Sequence, residues 1–129
     1  MLGRLKRIWH PERFHLEHVM NSGGAYFEGW YFKLVDAGRQ RPFAIIPGVF
    51  LGSDAHAFFH VLDGRIGTSD FHLFPLQEFH AAEDSFEMSI GRSRFTRSGI
   101  TINIDAQETS AKRRVTGVIE CSPWNGWPV

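Results

Sequence analysis

Tyr26-Phe27-Glu28-Gly29-Trp30-Tyr31-Phe32-Lys33-Leu34-Val35 is a run of aromatic and aliphatic residues broken by one glycine and two charges. That composition belongs to a strand. On a strand, Tyr26, Glu28, Trp30, Phe32 and Leu34 share one face, and Phe27, Tyr31, Lys33 and Val35 share the other. Downstream, residues 43–51 are almost continuously apolar, which predicts a strand covered on both sides. Pro47-Gly48 inside that run predicts a bulge or bend. Residues 56–63 form the next strand, and Asp63-Gly64 is a hairpin signal leading into a return strand over 69–74. Residues 75–82 read as a connection anchored by Phe79.

The second half repeats the pattern. Phe86, Met88 and Ile90 alternate with Glu87 and Ser89, and Gly91 closes the run. Residues 94–96 form a short strand, and Ser98-Gly99 a turn. Ile100, Ile102 and Ile104 alternate with Thr101, Asn103 and Asp105, the clearest period of two in the chain. Residues 107–114 read as a polar loop and 115–121 as the last strand. About eight strands with regular turn signals predict an all-β, antiparallel barrel or barrel-like sandwich.

The flanks differ. Residues 1–22 form a separate N-terminal segment, and residues 23–129 the β domain. Leu2, Leu5, Ile8 and Trp9 fall at helical spacing among Arg4, Lys6 and Arg7. Such a basic amphipathic turn suits peripheral contact with lipid headgroups. Packing on the domain is the favoured reading, because short helices owe most of their stability to packing. His10-Pro11 ends it. The aromatic run Trp124-Asn125-Gly126-Trp127 beside the last residue leads us to expect further chain beyond Val129.

Composition narrows the function classes. The chain has 129 residues, 14 basic and 14 acidic, with a net charge of zero. No overall field recruits nucleic acid, and no nucleic-acid partner is expected. Twelve Phe, four Trp and two Tyr are an unusual aromatic load, suited to an apolar pocket. The single cysteine, Cys121, can form neither an internal disulfide nor a multi-cysteine zinc site. No run approaches the ~20 apolar residues of a transmembrane helix. A cytoplasmic location, peripheral to a membrane at most, is the expectation.

Residues 26–33 resemble the FEGWYFK signature of the tocopherol cyclase family. Ile8-Trp9-His10-Pro11-Glu12 is similar to that family's entry segment. Phe43-Ala44-Ile45-Ile46-Pro47-Gly48-Val49 followed by His56-Ala57-Phe58 resembles its second and third strands, and Trp127-Pro128-Val129 the start of its second half. The resemblance implies a lipocalin-like fold related to that of carotenoid hydratases. It also implies that this chain is the N-terminal half of a longer protein, the missing C-terminal half being a partner in any activity. The acidic Trp-Gly motif of that second half has no counterpart here.

The family's reaction protonates the trisubstituted alkene of a prenylated quinol and captures the tertiary cation with a phenol oxygen. Neither a metal nor a cofactor is needed in principle. The protein must supply an acid in a dry site and aromatic walls that tolerate a cation. The resemblance therefore implies a hydrophobic prenyl-type ligand, an intramolecular lyase or isomerase activity in the full-length protein, and an inactive fragment on its own. Glu28 is the candidate catalytic acid, between a Tyr and a Trp on an apolar face. Its competing role is a charge at a barrel end, paired with an Arg or Lys. Ligand contacts are expected at Tyr26, Trp30, Phe32, Phe58 and His60. Gly29-Trp30 is also similar to the G-x-W feature of lipocalins, which makes Trp30 structural. The alternative to an enzyme is a non-catalytic lipocalin-like module that binds a hydrophobic ligand or lipid.

Other groups carry less. His56 and His60 are four apart, but on a strand that spacing is about 13 Å, too far for one zinc ion. His10, His15 and His18 precede the first strand in an irregular region. Asp70 and His72, two apart on one face, are expected to form a surface hydrogen-bonded pair. Lys33 reads as a rim charge, and the arginines at 92, 94, 97, 113 and 114, with Lys112, as a solvated face. No nucleophile motif or phosphate loop is present.

Overall fold

A computed structural model describes residues 25–105 and 113–126. The N-terminal amphipathic segment, His10, His15, His18, Lys112 and Trp127 lie outside these residues. The chain divides into two compact units, whose described residues are 25–79 in one and 80–105 with 113–126 in the other. The fold is all-β and antiparallel, as the alternation predicts. Among the described residues ten strands stand where about eight were expected.

The first sheet contains β1 (Tyr26–Gly29), β2 (Phe32–Leu34), β3 (Phe43–Leu51), β4 (His56–Asp63) and β5 (Thr68–Pro75). Its order is β1-β3-β4-β5, with β2 also on β3. β1 and β2 are one strand interrupted. Glu28 pairs with Val49 and Phe32 with Ile45, so the same register runs through both pieces. At the interruption the Trp30 amide donates to the Pro47 carbonyl at 2.9 Å. An antiparallel hydrogen-bonded pair exchanges two such bonds, and Pro47 has no N–H to return the second. Proline thus breaks the pairing locally without the bulge or bend expected at Pro47-Gly48. The β3–β4 ladder continues unshifted past Pro47, which pairs with Phe59.

The β4–β5 connection is longer than the Asp63-Gly64 signal implied. Asp63 pairs with Thr68 across a four-residue turn, closed by the Gly67 amide donating to the Asp63 carbonyl at 2.9 Å. Gly67 adopts φ +69, a left-handed conformation that favours glycine.

The second sheet is a meander of β6 (Phe79–Ala81), β7 (Glu87–Ile90), β8 (Ser93–Thr96), β9 (Gly99–Ile104) and β10 (Val115–Glu120). β6 occupies part of what reads in sequence as a connection, after a single 3-10 turn at Leu76–Glu78. Its core side carries Met88, Ile90, Phe95, Ile100, Ile102 and Ile104, all buried. The isoleucine alternation on β9 is therefore a true inside–outside period. Arg94 bridges to Glu87 at 2.5 Å and Arg92 bonds Asp105, all of them well exposed. These cations are balanced on a solvated surface, as expected. Arg97 lies over the Trp124 ring, 5.1 Å from its centroid.

The core of the first unit is built from Ala44, Ile45, Pro47, Val49, Ala57, Phe58, Phe59, Val61 and His72. The pairings put all of these but Ala44 and Phe58 on one face, together with Tyr26, Glu28, Phe32, Asp63, Asp70 and Phe74. No helix among the described residues is long and apolar enough to cross a membrane.

Candidate functional site

Glu28 stands on the core face of the first sheet, half-buried, in β1. The alternation that puts it there also puts Tyr26 beside it. The Tyr26 hydroxyl donates to Glu28 Oε2 at 2.7 Å. On the other side of Glu28 along the chain, Trp30 stacks on Phe79 with ring centroids 6.4 Å apart and planes inclined by 21°. Phe79 belongs to the same compact unit. It fills the anchoring role expected of it by covering Trp30. Phe32 follows on the same face, paired with Ile45.

The row that starts at Glu28 continues across the sheet through Val49 and Ala57 to Phe74. Val49 and Ala57 are fully buried. The carboxylate is thus flanked by a phenol, an indole and small aliphatic side chains. An ionised group among such neighbours is destabilised unless it is hydrogen-bonded. The Tyr26 hydroxyl supplies such a bond, and a donated hydrogen bond by itself favours carboxylate over acid. Chemically, the pair can hold, accept or return a proton next to an apolar surface.

Of the five expected ligand contacts, Tyr26, Trp30 and Phe32 lie along this face. Phe58 and His60 lie on the opposite face. Phe58 pairs with Gly48, and His60 pairs with Ile46 and hydrogen-bonds Ser69 Oγ through Nε2 at 2.7 Å. Phe58 belongs to an aromatic cluster of its own. Phe27 stacks on it at 5.5 Å and Phe71 at 5.0 Å.

His72 differs from its expected place in a surface pair. It is fully buried, because β5 turns its even-numbered residues to the core face beside Phe59. Asp70 lies two residues away on that face, half-buried. The order β1-β3-β4-β5 separates Glu28 from β5 by three strand spacings, roughly 14 Å. Glu28 and the Asp70–His72 pair are therefore two separate polar positions on one face. The notable miss is His72 as a core residue. Its signal in the sequence was the alternation of 68–75, with Phe74 as a same-face neighbour.

His56 and His60 occupy separate positions on β4, as the strand spacing predicts. His56 Nδ1 donates to the Asp54 carbonyl at 2.6 Å, and the ring stacks on Phe50. The described residues contain no group of His, Cys, Asp and Glu arranged to hold a metal ion. Lys33 is exposed on β2. Cavities of the second unit lie elsewhere: one of about 290 Å³ is lined by His80, Ala81, Ala82, Glu87, Met88, Ser89 and Arg94. An open surface depression runs along Glu120 to Asn125.

Comparison of the chain with models of protein families, with curated proteins and with solved structures found no match.

Proposed function

We propose that the Glu28 face handles an apolar, prenyl-type substrate, in a reaction like that of tocopherol cyclases, with Glu28 as its proton-transfer group. The observation that supports this reading is a half-buried carboxylate between Tyr26 and the Trp30–Phe79 stack. In the proposed step, protonated Glu28 gives its proton to one alkene carbon, and the tertiary cation forms at the other. Aromatic faces stabilise that cation through their quadrupole. The phenol oxygen then bonds to the cationic carbon and releases its proton to the Glu28 carboxylate. The net change is an isomerisation, with no electron donor or acceptor consumed. Accepting a hydrogen bond from Tyr26 suits Glu28 in the second half of this cycle, where it receives a proton.

The test is Glu28→Gln in the longest natural form of the protein, assayed with a prenylated benzoquinol. The expected result is a folded variant that forms no chromanol while wild type does. Wild-type turnover in the variant would remove Glu28 from the mechanism.

A second reading is a non-catalytic module that binds a hydrophobic ligand. The Tyr26–Glu28 hydrogen bond favours it, since a carboxylate with a partner two residues away is adequately explained as structure. On this reading wild type and Glu28→Gln bind a prenylated quinone equally, and neither converts it.

A further inference from the structure

The other face of the first sheet is unlike the core face. Seven large apolar side chains are exposed among the described residues, and all but Val118 belong to this unit: Phe27, Tyr31, Val35, Ile66, Phe71 and Leu73. Phe27, Tyr31 and Leu73 are 62%, 61% and 53% exposed. The pairings place Phe27, Phe71 and Leu73 on one surface around Phe58, which is itself buried, with Tyr31 and Lys33 alongside. Contiguous exposed apolar surface of this kind marks an interaction site.

The charges around this face decide what it meets. The carboxylates carried by the strands of this sheet, Glu28, Asp63 and Asp70, all fall on the core face. The exposed face keeps Lys33 as its one formally charged strand residue. At the end of the sheet where β2 turns into β3, the loop is held against the β4–β5 turn by the Gly64 amide donating to the Pro42 carbonyl at 2.8 Å. These two loops carry Arg39, Arg41 and Arg65 together with exposed Val35 and Ile66. The carboxylate of the first loop, Asp36, is turned onto its own backbone, accepting from the amides of Gln40 at 2.9 Å and Arg41 at 2.6 Å. The other loop carboxylates, Asp54 between β3 and β4 and Glu78 in the turn after β5, stand at the opposite end.

We propose that this face and its arginine-bearing end dock on a lipid bilayer that displays anionic headgroups. Aromatic rings with apolar bodies suit the interfacial layer, and Lys and Arg reach the headgroups. Each cation near an anionic surface contributes about a fivefold gain in affinity. A second copy of the chain is a poorer occupant. A two-fold interface sets the same patch against itself, and this patch has no strand carboxylate to meet Lys33. The docking surface is independent of the chemistry proposed for Glu28, which lies on the other face.

The experiment is co-sedimentation of the whole chain with phosphatidylcholine vesicles, with and without phosphatidylserine. Wild type should bind the serine-containing vesicles and release from them as salt rises. Arg39→Gln, Arg41→Gln and Arg65→Gln should each weaken binding about fivefold. Tyr31→Ser with Leu73→Ser should lower what stays bound at high salt, circular dichroism confirming the fold of each variant. Failure to bind either vesicle overturns the proposal, as does binding that none of these changes alters. A dimer in sedimentation that Leu73→Ser dissolves, in a chain indifferent to vesicles, overturns it in favour of a second copy.

Discussion

Gly48 lies directly beneath the ring of Phe58: a Cβ at position 48 would come within 2.2 Å of Phe58 Cζ and 2.7 Å of Cε1. The two residues are cross-strand partners in the β3–β4 ladder. The ring in turn is held between Phe27 and Phe71. The same Cβ would also come within 2.8 Å of the Glu28 carbonyl oxygen, which is backbone and cannot swing aside.

Gly48→Ala should therefore destabilise the first unit by about 1–3 kcal/mol, the range for forcing extra volume into packed surroundings. Chemical denaturation measures it. Adding Phe58→Leu should recover part of the loss but not all, since the clash with the Glu28 carbonyl remains. Full recovery would mean that the ring alone sets the requirement for glycine.

Phe59 and Val118 are opposite extremes of burial, 0% and 74% exposed. Phe59→Ala should cost about 3–5 kcal/mol, through lost transfer energy and the cavity left behind. Val118→Ala, on the exposed side of the edge strand β10, should stay within about 0.5 kcal/mol of wild type. Similar denaturation midpoints for the two variants would contradict the burial assignment.

The Tyr26–Glu28 hydrogen bond should appear as coupling. Tyr26→Phe and Glu28→Gln, singly and together, form a double-mutant cycle whose interaction energy should be about 1 kcal/mol, given the partial exposure of the pair. A value near zero would mean that the phenol does not restrain the carboxylate in solution. A folded Tyr26→Phe variant with altered proton-transfer kinetics, measured on the prenylated quinol, would tie the bond to the proposed step.

The ion pairs on the second sheet should matter little. Arg94–Glu87 joins side chains that are 62% and 45% exposed, and Arg92–Asp105 joins side chains that are 62% and 68% exposed. Arg94→Ala and Arg92→Ala should each change stability by less than about 1 kcal/mol, and less still in high salt. Larger losses would point to packing by the arginine stems rather than charge.

What the chain determines by itself is local and periodic. Aromatic and aliphatic composition over residues 26–35 and alternation over 99–104 specify strands, in which successive side chains must point to opposite sides of an extended backbone. It also groups Tyr26, Glu28, Trp30 and Phe32, and separates them from Lys33. Pro47, with no N–H to donate, writes the break between β1 and β2 into the sequence, but only knowing that Trp30 is its partner turns that fact into a location.

Which faces of different strands meet was decided by tertiary pairing. Tyr26 pairs with Leu51, so even-numbered residues of β1 share a face with odd-numbered residues of β3. Phe43 pairs with Asp63, which keeps that parity into β4, and His60 pairs with Phe71, which reverses it in β5. Phe58 and His60 are even-numbered like Tyr26 and Trp30, yet they face the other way, and even-numbered His72 returns to the core. A loop longer or shorter by one residue shifts the register and exchanges the faces of everything beyond it. Both sides of these strands carry apolar side chains, so hydrophobicity alone could not choose between them. The partner strands made that choice.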